Sequence, residues 1–170
     1  LGDSGSCNIN AVCRDGTLGQ AYVNAKNAVA WMNFMSGGGS YICTGTLLND
    51  TVAATFIPWF YTAHHCIGTQ AEANSLSTFW KRESATCPNP GGLGANTQVT
   101  GGAQMVYSQA STDAALLRLN NAPPAGAYFS GWDANALAAN TGVVAIHHPS
   151  GDNKKYSRGT YLGISSNVNI

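Results

Sequence analysis

Bulky apolar residues recur along the chain in short blocks, each closed by Gly, Pro, Asn or Ser, and this pattern predicts strands rather than helices. Residues 27–35 and 41–48 flank the run Ser36-Gly37-Gly38-Gly39-Ser40 and read as an antiparallel hairpin with a longer connection. Asn49-Asp50 begins the turn into the central stretch, 58–66, where Trp59, Phe60 and Tyr61 form a buried strand that ends at Thr62-Ala63 and is followed at once by His64-His65-Cys66. A short helix is expected over 69–75 and a strand over 76–84, with Phe79 and Trp80 on opposite faces. Residues 87–96 form a loop. Residues 97–109 are two strands or one bulged strand, because Gly101-Gly102 interrupts the β-formers. The apolar run 113–120 is bounded on both sides by turn residues and reads as a strand. Residues 121–126 are a linker, and 128–132, 143–147 and 156–164 are three further strand candidates. The first 26 residues show little periodicity and read as an arm ordered by its cysteines. Many short strands with almost no helix indicate an all-β barrel or sandwich.

Composition narrows the partners. Only 9% of residues are charged and the net charge is zero, so the surface is uncharged and polar, which argues against nucleic acid and anionic membrane. No apolar run approaches the roughly 20 residues of a membrane helix, and Leu1-Gly2-Asp3 resembles no signal peptide, so an exported protein would be seen here as mature chain. Five cysteines without a Cys-x-x-Cys pair favour structural disulfides in an oxidising compartment. Five is odd, so one is free, joined to another chain, or separated from its partner.

The candidate chemistry lies at the end of the central strand. A histidine fixed beside a half-cystine is held rigidly for proton transfer near neutral pH. Adjacent His-His-Cys makes poor metal geometry, and no cofactor is implied. A histidine base needs a third group, most often a carboxylate accepting from Nδ1. Among the acidic residues Asp113 stands out because it abuts a hydrophobic strand, where an unpaired carboxylate is costly; a turn or cap residue is the plainer alternative.

Three motifs in order resemble the trypsin-like, chymotrypsin-fold serine proteases: Cys43-Thr44-Gly45-Thr46-Leu47-Leu48, Thr62-Ala63-His64-His65-Cys66, and Asp113-Ala114-Ala115-Leu116-Leu117-Arg118-Leu119. The Ser4-Gly5-Ser6-Cys7-Asn8-Ile9 start, the doubled histidine, and Ala145-Ile146-His147-His148-Pro149 followed by Lys154-Lys155 resemble the bacterial lysyl endopeptidase branch. The resemblance implies an all-β double β-barrel: an arm (1–26), a first barrel (27–122), then a linker and the opening strands of a second barrel (123–170). It implies a secreted serine endopeptidase acting on peptide or protein substrates, with cleavage after Lys suggested by the branch. His65 is then the general base and acid, Asp113 orients it, His64 fills a variable position, and His147 and His148 are structural. Cys13–Cys87 and Cys43–Cys66 are the implied disulfides, the second also expected because both cysteines lie on strands flanking one site. The runner-up is a non-catalytic, protease-like binding domain.

The nucleophile is missing from the pattern. The family's serine lies in Gly-x-Ser-Gly after the aspartate, and neither Ser150 nor Ser165-Ser166 has the flanking glycines. Gly2-Asp3-Ser4-Gly5 has the letters, but the family's order is histidine, aspartate, serine, so it reads as coincidence. The expectation is that the serine and the partner of Cys7 lie in a C-terminal part outside these 170 residues, and that this segment alone is inactive.

Overall fold

The computed structural model describes residues 4–13, 16–52, 54–87 and 92–164. Gly2 and Asp3, part of the 87–96 loop and Ser165-Ser166 therefore lie outside the described residues. Among the described residues two antiparallel sheets carry the architecture. The larger has seven strands, in the order β6 (Thr97–Val99), β5 (Ser77–Trp80), β2 (Val29–Ser36), β3 (Gly39–Leu48), β4 (Trp59–Thr62), β8 (Ala114–Leu119) and β7 (Ala103–Gln109), and the smaller has three, β1 (Ile9–Asn10), β10 (Lys155–Thr160) and β9 (Gly142–His147).

The hairpin is β2 (Val29–Ser36) and β3 (Gly39–Leu48), in register from Val29↔Thr46 to Ser36↔Gly39. Its connection is shorter than expected. Only Gly37 and Gly38 lie outside the ladder, and both have positive φ (+55° and +86°), the backbone that lets a two-residue turn follow strand twist. The central strand is β4 (Trp59–Thr62), between β3 and β8 (Ala114–Leu119). Phe60 and Thr62 are buried on one face and Tyr61 is exposed on the other, the alternation a half-buried strand demands.

The remaining strands of this sheet are β5 (Ser77–Trp80), β6 (Thr97–Val99) and β7 (Ala103–Gln109). β5 is shorter than the block 76–84 because Lys81 takes positive φ (+55°) and turns the chain out of the ladder. Residues 97–109 are two strands, and the second is also bulged, its register shifting between Met105 and Tyr107. The core gathers Met32, Phe34, Leu47, Phe60, Ile67, Trp80 and Leu117, with Phe60 and Trp80 edge to face at 6.1 Å between centroids.

Two expectations are corrected. The first 26 residues contain a strand, β1 (Ile9–Asn10), which adds to β10 (Lys155–Thr160), and most of a helix, α1 (Gly19–Ala28), whose end takes Asn27 and Ala28 from the expected strand 27–35. Helix α1 is rich in alanine, the strongest helix former, and buries only Tyr22 and Ala28, so no apolar stripe marks it. Tyr22 donates its hydroxyl to the Ala11 carbonyl (2.9 Å) and meets Tyr156 edge to face at 5.4 Å. The arm is thus held by a strand and a helix as well as by Cys13–Cys87. The second correction is 128–132, which makes no strand but a single parallel bridge, Ser130 to Leu48. Its Phe129 packs against the core, and Ser130 exchanges backbone hydrogen bonds with Leu47 and Asn49 (3.0 and 2.8 Å), so the segment is fixed without a ladder. Residues 143–147 match β9 (Gly142–His147), while 156–164 is cut to β10. The short helix expected over 69–75 is α2 (Gln70–Asn74).

A buried ionic cluster mounts the smaller sheet on the larger. Lys154 is 0% exposed; its Nζ donates to the Lys26 carbonyl (2.8 Å) and stands 3.6 Å from Glu83, which Lys26 pairs at 2.6 Å. Lys155 donates to the Asn10 side chain and lies 3.2 Å from Asp152, which also accepts from the Ser4 amide and hydroxyl. Burial lowers the Lys154 pKa to about 8, against the pull of Glu83.

The sign of this shift gives a testable consequence. A lysine whose folded pKa lies below its unfolded value, near 10.4, disfavours the native state below pH 8, and that penalty fades as pH rises toward the unfolded value. In Lys154→Met the penalty is absent and Glu83 keeps Lys26. Urea unfolding at pH 7.5 and 9.5 is expected to show the stability difference moving in favour of the native lysine at the higher pH; a gap independent of pH would contradict it.

Candidate active site

Strand β4 ends at Thr62, whose hydroxyl donates to the Thr44 carbonyl of β3 (2.9 Å). The chain then closes a tight turn in which the amides of Cys66 and Ile67 both donate to the Ala63 carbonyl at 3.2 Å. Cys66 is bridged to Cys43 on β3, with Cα atoms 6.3 Å apart, so the turn carrying His64 and His65 is covalently tied to the neighbouring strand. The second expected disulfide is also present: Cys13–Cys87 joins the arm to the segment after β5 at a Cα separation of 5.2 Å. Among the described residues Cys7 is the free cysteine, and it is exposed.

Asp113 reaches this turn from the other side. It follows a 3₁₀ turn (Ala110–Thr112) and takes left-handed backbone angles (φ +47°, ψ +42°), which aspartate tolerates better than most residues, immediately before β8. Its carboxylate accepts twice from one residue: the His65 amide at 2.9 Å and the His65 ring Nδ1 at 2.7 Å. The backbone hydrogen bond first and the ring second hold the Asp113 pKa below the usual carboxylate range. An ionised carboxylate only accepts, so Nδ1 carries the proton and Nε2 is left as the basic nitrogen. The His65 side chain is 56% exposed, on an open pocket that it lines with His64, Ala110 and Asp113. The arrangement is an imidazole of fixed tautomer, open to solvent, backed by a carboxylate that can stabilise its cation.

Further ties hold the turn that sequence motifs did not disclose. Glu72 accepts from the Ser36 hydroxyl of β2 (2.6 Å) and from the amides of Gly68 and Thr69 (2.8 Å each), and the Ser36 contact leads in lowering its pKa. It also closes a capping box with Thr69 at the start of α2, so the pattern Thr-x-x-Glu was the signal available. On the opposite side the His64 Nδ1 lies 2.7 Å from the Ser108 hydroxyl of β7. A second hollow of about 230 Å³, walled by Phe34, Tyr41, the Cys43–Cys66 bridge and Glu72, opens beside His65.

The sulfurs of Cys43 and Cys66 and the His65 ring lie within 4.8 Å of one another, but both sulfurs are spent in the disulfide and offer no thiolate to a metal. His148 is buried and hydrogen-bonded to the Asp152 carbonyl through Nδ1 (3.1 Å); burial first and then Lys154 depress its pKa to about 3. Ser4 is engaged by Asp152, and Ser150 is exposed in a 3₁₀ turn at positive φ.

Glu72→Ala removes the acceptor shared by Gly68 and Thr69. Their amides are expected to exchange with deuterium about 10-fold faster or more, since an unsatisfied donor costs about 1–3 kcal/mol, while amides in β8 keep their protection. Unchanged exchange at Gly68 and Thr69 would show that the carboxylate does not hold the turn.

Comparison with known proteins adds three findings. The family profile described as lysyl endopeptidase, C-terminal domain, matches residues 1–170. The chain is 44% identical over 168 residues to a lysyl endopeptidase of Pseudomonas aeruginosa, covering 96% of this chain and 36% of that protein; the chain thus spans about a third of that relative's length. Its fold is similar to the crystal structure of the scabies mite inactivated protease paralogue S-I1 (TM-score 0.57, 14% identity, 84% of this chain and 64% of that one). It is likewise similar to the structure of GrC (TM-score 0.53, 15% identity, 82% and 62%).

Proposed function

The chain belongs to the lysyl endopeptidase C-terminal domain family and has a trypsin-like protease fold, and from that membership we propose that it carries the histidine and aspartate of a serine endopeptidase. The observation that supports this reading most directly is the double contact of Asp113 with one residue, His65, at 2.9 and 2.7 Å.

In this mechanism His65 Nε2 takes the proton of a serine hydroxyl as the serine attacks the peptide carbonyl. It then returns that proton to the leaving amine. Asp113 keeps the Nδ1–H tautomer throughout and stabilises the imidazolium that forms between the two transfers. The serine and the oxyanion donors are proposed to lie elsewhere in a longer protein, on a C-terminal segment that docks beside this one; residues 1–170 by themselves are then inactive. Residues 1–26 serve as the arm, 27–122 as a first barrel holding both groups, and 123–170 as the linker and opening strands of a second. The proposed substrates are peptides and proteins cleaved after Lys, as the relative's name suggests. The two disulfides support work in an extracellular setting, and no helix among the described residues is long and apolar enough to cross a membrane.

The test is kinetic, on the full-length protein with lysyl, arginyl and neutral fluorogenic peptides. Asp113→Asn is expected to lower kcat by about 10⁴-fold with little change in KM, because the amide would present the wrong tautomer partner. His65→Ala is expected to reduce kcat by on the order of 10⁴- to 10⁶-fold. Full activity in His65→Ala would sink the assignment, as a protein that cleaves no peptide at all would favour the non-catalytic binding domain.

A further inference from the structure

We propose that His64 is a positioning residue for His65, acting by fastening the turn that carries both to strand β7 through Ser108; the inference rests on the catalytic reading of His65 and Asp113 given above.

Three observations carry it. The first is the hydrogen-bond chain. The Ser108 hydroxyl lies 3.3 Å from the Ile67 carbonyl and 2.7 Å from His64 Nδ1. A carbonyl can only accept, so the hydroxyl proton goes to Ile67 and the serine oxygen accepts from the His64 Nδ1–H. One hydroxyl thereby ties the turn both before and after His65, at His64 and at Ile67. The second is the seat of the ring. His64 is half-buried, and a Cβ on Gly68 would stand 3.3 Å from its Cε1 and 3.5 Å from its Nε2, so the imidazole sits close over Gly68, where a methyl group would be a tight fit. The third is the origin of the anchor. Ser108 pairs with Ala115 and Gln109 with Ala114, so Ser108 rides on the same hairpin end that presents Asp113.

Two ties therefore join the histidine turn to the β7–β8 hairpin end. One is Asp113 to His65, which the chemistry itself loads and unloads as the ring gains and loses charge. The other is Ser108 to His64 and Ile67, which the proposed reaction does not touch. The second tie fixes where the turn sits, and the first then only has to fix how the ring is rotated. Without the His64 ring the turn is free to pivot about the Asp113 contact, which displaces Nε2 relative to the attacking hydroxyl while leaving the substrate's contacts in place. A residue that serves packing alone would change stability and leave the rate of the bound complex unaltered.

The experiment uses the full-length, disulfide-bonded protein and four variants: His64→Ala, His64→Asn, Ser108→Ala and, as reference, His65→Ala. The Asn amide nitrogen supplies a donor close to the place of Nδ1–H and so rescues the tie without an imidazole. His64→Ala and Ser108→Ala are expected to lower kcat on the order of 10-fold at unchanged KM, a displacement well under 1 Å being enough. His64→Asn is expected to recover most of the rate. The downfield proton resonance of His65 Nδ1–H should broaden in His64→Ala and sharpen again in His64→Asn. Unchanged kcat in both His64→Ala and Ser108→Ala, or an Asn variant as slow as the Ala variant, overturns the inference while His65→Ala stays inactive. Activity in His65→Ala instead removes the catalytic reading, and this inference with it.

Discussion

A base can act only if its ring and the backbone beneath it are held against the same support. For His65, the proposed base, that condition is met by one carboxylate. Asp113 accepts from the amide and from Nδ1 of the same residue, so His65 can neither rotate its ring nor lift its peptide without breaking a bond to the same group. The surroundings can be understood as what lets that carboxylate arrive: β8 pairs with β4 and places Asp113 opposite the end of the strand that delivers His65, with Thr62 across from Ala115. The Cys43–Cys66 bridge, Glu72 and Ser108 then brace the turn from β3, from α2 and β2, and from β7. Because the side chain of His65 is more than half exposed, its precision comes from hydrogen bonds and the disulfide rather than from burial.

The charged residues follow a different logic. In a chain with so few of them, two lysines are placed in the interior, which is tolerable only because carboxylates and carbonyls meet them: Glu83 and the Lys26 carbonyl for Lys154, and Asp152 with Asn10 for Lys155. This cluster joins the arm, α1, the segment after β5 and the turn before β10. His148 extends it to the site's own strand, since its amide donates to the Thr44 hydroxyl, next to Cys43. Directional polar contacts, which fix geometry more sharply than apolar packing, thus run from the arm to the edge of the histidine turn.

Much of this was legible in the order of residues, and the reasons for the exceptions are physical. Strands β4 and β8 announce themselves by alternating buried and open positions, β2 by a continuous buried apolar run, and β3 by the alternation that ends it at Gly45 and Leu47. The contact between His65 and Asp113 was legible because their motifs stand beside a half-cystine and before an apolar strand. Helix α1 was hidden because alanine propensity and one tyrosine, not a stripe of apolar residues, hold it. Residues 128–132 look like a strand in composition, but Phe129 packs on the core and only Ser130 bridges β3, and composition cannot tell a single bridge from a ladder. The Ser36–Glu72 and His64–Ser108 contacts link positions 36 and 44 residues apart through short polar side chains that carry no pattern of their own. Only the three-dimensional register makes them neighbours.

The pairing of β1 with β10 has a consequence for the order of events in synthesis. Ser4 meets Asp152 across 148 residues, so at about 5–20 residues per second the arm waits roughly 7–30 s for its partners to be made. Cys87 emerges about halfway through that interval, since the Cys13–Cys87 bridge spans 74 positions. An oxidising compartment can therefore close this bridge while β10 does not yet exist, leashing the arm beside the seven-stranded sheet. When β10 arrives, its search for β1 is a short local docking rather than a closure across the whole chain. The bridge acts in this sense as a timing device, converting a contact across 148 residues into a short local docking.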